Sequence, residues 1–142
     1  MRSFFTTLGI CWSLPTTLVG LTVGGLCLLT RGKCQRRGRV LEFHGGFVTW
    51  SLSKMPIRPM AMTLGHVIIG LDENALEICR AHEMVHVCQC ERWGPFFLPA
   101  YLLSSAVIWV RRGDAYRDNP FERQAYAISD PANVTLGEEP IV

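Results

Sequence analysis

The sequence has almost no net charge: 14 Lys and Arg against 12 Asp and Glu leave a balance of +2 over 142 residues. So small a balance gives no argument for nucleic-acid binding. Internal repeats and low-complexity tracts are also lacking, and the length suits one small domain. Apolar residues, in contrast, are abundant. Hydrophobic residues make up 49% of the chain, and the mean hydropathy of +0.20 points to a membrane.

A convincing disulfide framework is missing as well, although the chain has six cysteines. Two lie in an apolar segment and one in a basic stretch. The other three share one predicted helix, whose straight axis does not let them bridge one another. We therefore expect reduced thiols, which are typical of the cytosol. The six are Cys11, Cys27, Cys34, Cys79, Cys88 and Cys90.

One short motif carries most of the chemical signal: His82-Glu83-Met84-Val85-His86 contains His-Glu-x-x-His. At about 100° per residue, His86 lies only about 40° around a helix from His82, one turn further on. Two imidazoles so placed can bind one metal ion, and Zn²⁺ favours nitrogen ligands in tetrahedral array. Glu83 lies off the ligand line, where a carboxylate can reach a metal-bound water. The spacing predicts a zinc hydrolase with Glu83 as general base.

The alternative is an amphipathic helix with two surface histidines, because a motif of three fixed positions also occurs by chance. The flanking residues argue against it. Asp72 or Asn74 can cap the start of the helix, and Gly94-Pro95 is a stop signal. Apolar residues on its other faces indicate that the helix is buried on several sides; they are Ile78, Ala81, Met84, Val85 and Val87.

A catalytic zinc site needs a third protein ligand, and Glu122 is the downstream candidate, with Tyr126 four residues later on the same face. Residues 119–122, Asn-Pro-Phe-Glu, also have the pattern of a helix start, in which Glu122 would satisfy a free backbone amide instead. A thiolate of Cys79 or Cys90 is a further alternative, although small buried cysteines are common. We expect Glu122 to bind the metal. Tyr126 or a nearby arginine is a candidate for stabilising the transition state.

Residues 8–29 contain no charged side chain, and about 20 apolar residues are enough to span a bilayer. A cleaved signal peptide is the alternative, but only Arg2 precedes the run and no clear Ala-x-Ala site follows it. We expect residues 1–30 to form an N-terminal transmembrane helix. A basic cluster follows at once and should stay cytoplasmic, so the domain after it should face the cytoplasm. The cluster consists of Arg31, Lys33, Arg36, Arg37 and Arg39.

Residues 31–128 are expected to form one metal-binding domain. Two runs, 40–43 and 47–50, flank Gly45-Gly46 and predict a β-hairpin. Residues 61–70 predict a third strand that leads into the metal helix. His44 and His66 are not included among the ligands, because a histidine in a turn or strand is more often structural.

Segment 94–110 has 17 uncharged residues, which as a helix would reach only about 25 Å against about 30 Å of hydrocarbon. Pro99 interrupts its first turns. A complete crossing would put Glu122 on the opposite side of the membrane from His82. A re-entrant or shallow membrane helix, or a buried core helix, would keep them together. Residues 129–142 are polar and predict a flexible tail.

Together these motifs make residues 60 to 128 resemble zincin metallopeptidases, and most closely the gluzincin arrangement of two histidines on one helix and a glutamate on a later one. The chain is also similar to small bacterial membrane-associated proteins of that type with no assigned role. The resemblance implies an α+β fold with a small sheet beside the active-site helix. It further implies Zn²⁺ bound by His82, His86 and Glu122, and Glu83 as the base.

The sequence thus predicts a membrane-anchored zinc peptidase of the bacterial inner membrane that acts on a protein or peptide substrate. The strand that ends at Ile69 is a candidate for binding an extended substrate by main-chain pairing. The alternative, from another functional class, is a non-enzymatic membrane protein whose metal site only holds the fold. A closed site of four protein ligands would favour that alternative.

Overall fold

The fold is α+β, as predicted, and contains a four-stranded sheet with helices on both faces. The computed structural model describes residues 9–130. Nearly all of the predicted tail, residues 131–142, lies outside the described residues. The strands are β1 (Lys33–Arg37), β2 (Val40–His44), β3 (Ala61–Leu64) and β4 (Val67–Gly70), and the helices are α1 (Leu14–Leu29), α2 (Gly46–Lys54), α3 (Glu73–Trp93), α4 (Phe97–Val110) and α5 (Pro120–Ser129).

The strands lie in the order β1-β2-β4-β3, so β1 and β3 form the two edges of the sheet. β1 pairs with β2 and β3 with β4 in antiparallel fashion, whereas β2 and β4 are parallel, with Leu41 opposite Val67. The parallel pair requires a crossover connection, which α2 and β3 supply. This arrangement places β3, the strand nearest the predicted metal helix, at an edge.

Alternation along the strands directs side chains to two separate cores. On one face, Phe43 and Val67 pack with Leu52 of α2 and Cys27 of α1. On the other face, Val40 and Ile68 pack with Leu76 and Val87 of α3. The predicted metal helix is therefore fixed along one side to a rigid sheet.

The predicted hairpin of residues 40–43 and 47–50 is wrong, because the second run is the helix α2. Gly45 and Gly46 both have positive φ, 87° and 49°, and turn the chain from β2 directly into that helix. Val48 and Leu52 are four residues apart, so one helical face buries both. The hairpin that does form joins β1 to β2.

The predicted third strand, residues 61–70, is in fact a hairpin of β3 and β4. Gly65 makes its turn with φ 67°, and a Cβ there would collide with Thr17 of α1. His66, which follows Gly65, is buried: Nδ1 lies 3.1 Å from Ser13 Oγ, and Nε2 lies 2.8 Å from Glu91 Oε1. This histidine thus joins the N-terminal helical region to the sheet and to α3.

The expected N-terminal transmembrane helix, residues 1–30, is not the long apolar helix that the structure shows, and residues 1–8 of that prediction lie outside the described residues. α1 has 16 residues, about 24 Å, against about 30 Å of hydrocarbon. Within the described residues, the helix long and apolar enough to cross a membrane by length and composition is Glu73–Val110, which joins α3 and α4 through a 3₁₀ turn. One side of α1 is packed on the sheet. The residues buried along that side are Thr16, Gly20, Gly24 and Cys27.

Segment 94–110 is helical but does not form a buried core helix. Phe97 is the only buried residue in α4. Leu103 and Trp109 expose 66% and 72% of their surface, and Arg111-Arg112 follow the last turn. The first turns of α4 are the part that meets the rest of the domain, so the helix projects from the region that carries Glu122.

Candidate metal centre

The helix α3 begins and ends on the residues that the sequence indicated. Asp72 caps its start, with the carboxylate accepting a hydrogen bond from the Ala75 amide at 2.7 Å. Gly94, with φ 56°, ends it. Between these limits His82 and His86 lie one turn apart, and both imidazoles contact Glu122 of α5.

Three side chains from two helices meet at one point. His82 Nε2 lies 3.1 Å from His86 Nε2 and 3.1 Å from Glu122 Oε2. His86 Nε2 lies 3.3 Å from Glu122 Oε1. One potential ligand atom from each residue can be chosen so that all lie within 4.8 Å of one another. The structure therefore brings together the three residues expected to bind the metal.

These separations fit a small tetrahedral ion. Ligand atoms about 2.0–2.1 Å from a tetrahedral zinc lie about 3.4 Å from each other, close to the spacings between the two imidazoles and the carboxylate. Two imidazoles and one carboxylate are also a donor set that catalytic zinc uses. No cysteine belongs to the group within residues 9–130. Three protein ligands leave one tetrahedral position for water or substrate.

The tautomer of His86 is fixed by Gln89. His86 Nδ1 lies 2.8 Å from Gln89 Oε1, an acceptor, so this nitrogen carries the proton. The amide nitrogen of Gln89 is held in turn by Phe121 O and Gln124 Oε1. With its Nδ1 engaged by Gln89, His86 has Nε2 as the nitrogen available to a metal, on the side of the ligand cluster. Gln89 lies outside the His-Glu-x-x-His motif, so its contact with His86 comes from the structure.

His82 is held differently. Its Nδ1 is the one buried side-chain nitrogen or oxygen between residues 9 and 130 that has no hydrogen-bond partner. Its ring instead packs on Tyr126, with the centroids 4.5 Å apart. Tyr126, the candidate stabiliser, is half exposed, and its hydroxyl lies 3.5 Å from the hydroxyl of Tyr116. The structure thus places Tyr126 beside the ligands, on the solvent-accessible side.

Glu83 projects from α3 towards the sheet and is not part of the ligand group. Thr63 of β3 donates a hydrogen bond of 2.6 Å to Glu83 Oε2. Burial raises the pKa of the Glu83 carboxyl, and the neighbouring His86 and the Thr63 hydrogen bond oppose that shift. A carboxylate that is buried beside a metal-ligand cluster, but outside it, is suited to accept a proton.

Glu122 does not cap its own helix. The backbone amide of Asn119 donates to Tyr116 O instead, and the Asn119 side chain caps α5 by accepting from the Phe121 amide. The capping-box role considered for Glu122 is thereby excluded. Burial alone would raise the pKa of Glu122, but the hydrogen bonds with His82 and His86 hold it well below its usual range.

The thiols of Cys79 and Cys90, considered above as alternative ligands, are not part of the ligand group. Cys90 is fully buried and packs with Phe97 and Phe121, and burial raises the pKa of its thiol to about 12. Cys79 packs at the edge of the core between the sheet and α3. Both cysteines act as small apolar side chains here.

A further residue at the site, Tyr101 of α4, was not identified from the sequence. Its hydroxyl donates a 2.7 Å hydrogen bond to Glu122 Oε1. The available signal was a single tyrosine within an uncharged stretch, and the sequence does not reveal its partner 21 residues away.

Comparison with known proteins adds no name to this arrangement. No protein-family model, no curated protein and no solved structure matches the chain.

Proposed function

We propose that this protein is a membrane-anchored zinc peptidase whose metal is bound by His82, His86 and Glu122. The observation that carries the proposal is the convergence of those three side chains, with Glu83 buried beside them but outside the ligand group. Zinc held in such a site would acidify a coordinated water and polarise the carbonyl of a peptide bond. Side chains of the protein carry out the other parts of the proposed reaction.

Glu83 has the role of general base in this proposal. It accepts a proton from the attacking water and passes it to the leaving amine. Thr63 orients the carboxylate by its hydrogen bond to Oε2, and the rigid sheet holds Thr63. Gln89 keeps the proton of His86 on Nδ1, away from the metal. Tyr126, exposed beside His82, is the candidate for hydrogen bonding to the oxyanion.

The position of β3 at the edge of the sheet favours a peptide as the substrate. β3 pairs with β4 along one side, and no strand among residues 9–130 pairs with its other side. The free main-chain groups of an edge strand can bind an extended peptide. Because Thr63 of this strand contacts Glu83, a peptide paired there would lie near the base.

The exposed apolar surface supports a membrane location. α4 exposes apolar side chains along most of its length, and α1 exposes the side that is not packed on the sheet, including Leu29 at 82%. Basic residues follow both helices, as expected where a helix meets lipid headgroups. We propose that both surfaces contact a bacterial inner membrane and that the metal site faces the cytoplasm.

The rival function, a metal site that only holds the fold, requires a closed set of protein ligands. The three-residue ligand group and the solvent-accessible Tyr126 support the enzyme instead.

The test is a comparison of Glu83→Gln with the wild-type protein, purified in detergent. Zinc content is measured by atomic absorption, and hydrolysis by mass spectrometry of a mixture of unstructured peptides. We expect one zinc per chain in both proteins and cleavage by the wild type alone. Glu77→Gln is the matched control, since Glu77 lies on the same helix but is exposed, and it should retain both properties. Loss of zinc in Glu83→Gln would make Glu83 a ligand, and retained cleavage would remove its role as base.

A further inference from the structure

We infer that Tyr101 is a positioning residue for the metal centre and that, through it, the apolar helix α4 forms part of the zinc site. The inference rests on the proposed function and adds to it a residue outside the motifs. Its basis is the 2.7 Å hydrogen bond from the Tyr101 hydroxyl to Glu122 Oε1.

Glu122 needs outside support because it comes from a different helix than the two histidines. α5 has 10 residues, and its ligand lies in the first turn, where a helix frays most easily. Carboxylates that bind metals are usually oriented by hydrogen bonds from neighbouring groups. Tyr101 provides such a bond from a third helix, one that carries neither of the histidines.

A second residue ties the same two helices together. The side-chain amide nitrogen of Asn119 lies 3.0 Å from Tyr101 O and 2.7 Å from Ser105 Oγ, while its Oδ1 caps α5. Asn119 is fully buried. Tyr101 and Ser105 are one helical turn apart, so both contacts form only when that part of α4 is helical. The helicity of α4 therefore fixes the start of α5 and, with it, the position of Glu122.

Only the hydroxyl of Tyr101 is needed to position Glu122, so its removal can be tested without removing the ring. It packs with Phe97 and Phe121, and a phenylalanine would keep those contacts and lose only the hydroxyl. Tyr116 offers a matched control, because its hydroxyl contacts the hydroxyl of Tyr126 at 3.5 Å and no hydrogen bond between Tyr116 and Glu122 is seen within the described residues.

The experiment compares Tyr101→Phe and Tyr116→Phe in the full chain. Zinc affinity is measured by competition with a chelating dye, and the geometry of the site by the visible absorption of the Co²⁺-loaded protein. We expect Tyr101→Phe to weaken zinc binding by about 10- to 100-fold and to alter the cobalt spectrum. Tyr116→Phe should leave both unchanged. Wild-type affinity and an unaltered spectrum in Tyr101→Phe would overturn the inference.

A double-mutant cycle with Glu122→Ala separates this role from general destabilisation. If Tyr101 acts through Glu122, then Tyr101→Phe has no further effect on zinc affinity once Glu122 is removed. An equal loss in both backgrounds would overturn the inference while leaving the peptidase proposal in place. Failure of the wild-type protein to bind any zinc would instead overturn the proposed function, and this inference with it.

Discussion

Thr63 Oγ1 lies 2.6 Å from Glu83 Oε2, and this contact joins the edge strand β3 to the proposed base. The same hydroxyl lies 3.1 Å from the carbonyl oxygen of Glu83. Both residues are buried, so water does not replace the hydroxyl if it is removed. Because strand alternation directs Thr63 to the α3 side of the sheet, the sheet itself sets the position of the base.

We expect Thr63→Val to destabilise the protein by about 1–3 kcal/mol, because it leaves the buried Glu83 carboxylate without this hydrogen bond. Zinc should remain bound, since Thr63 contacts no ligand of the cluster. Urea unfolding measures the first quantity and zinc content the second. Thr63→Ser is the control, as it keeps the hydroxyl and should be less destabilised than Thr63→Val. A larger loss in Thr63→Ser than in Thr63→Val would show instead that the methyl group, which valine keeps and serine lacks, contributes more than the hydrogen bond.

We expect Glu122→Ala to reduce the free energy of zinc binding by far more than it reduces the free energy of unfolding. The carboxylate contacts His82 and His86 and does not satisfy an amide of its own helix. A lost helix cap would instead cost on the order of 1 kcal/mol and leave zinc in place. Competition with a chelating dye and thermal unfolding distinguish the two. Cys90→Ala is the control, since Cys90 is buried near the site but outside the ligand group, and it should keep its zinc.

Tyr126→Phe should retain zinc and lower kcat by about 100-fold with little change in KM, because a donor to the oxyanion acts only in the transition state. The phenylalanine keeps the ring contact with His82. Steady-state kinetics on a peptide cleaved by the wild type measures the effect. An unchanged kcat would assign Tyr126 to packing against His82 alone.

The sequence was sufficient to identify α3 and to propose its ligands, because helix periodicity and end signals are local. Asp72, Gly94 and the spacing of His82 and His86 depend on no distant contact. Glu122 could be proposed only because few acceptors follow the motif. Its helix-start pattern was equally consistent with a cap, and only the position of α5 against α3 decides between the two.

Two strand predictions failed because an apolar run around glycines does not show whether the chain becomes helical or turns back on itself. Residues 47–50 have strand-type composition, yet Val48 and Leu52 face one core when the run is helical. The turn within residues 61–70 depends on Gly65, whose backbone fits closely against Thr17, a contact 48 positions away in the chain. Tyr101 and Thr63 went unrecognised for the same reason, because their partners come from other elements.

The last prediction concerns lipid. α4 exposes apolar side chains to its surroundings, and an isolated helix of 14 residues is marginally stable in water. A bilayer favours the helical state, because unpaired backbone groups are costly in hydrocarbon. Since Tyr101 and Ser105 hold Asn119 and Glu122 only when α4 is helical, seating α4 in lipid should strengthen zinc binding.

The double substitution Leu102→Asp with Leu103→Asp tests this coupling without touching the metal cluster, since both side chains are exposed. An aspartate costs about 2.5–3.5 kcal/mol at the centre of a bilayer and less towards its surface. In a flotation assay with anionic vesicles, we expect a smaller fraction of the variant than of the wild type to bind. We also expect the variant to bind zinc several-fold more weakly than the wild type when the vesicles are present. Ile78→Asp, on the exposed face of α3, is the control and should change neither. By reciprocity, zinc should strengthen vesicle binding of the wild type by the factor by which vesicles strengthen zinc binding. Weaker vesicle binding with unchanged zinc affinity would show that α4 anchors the protein without supporting its metal site.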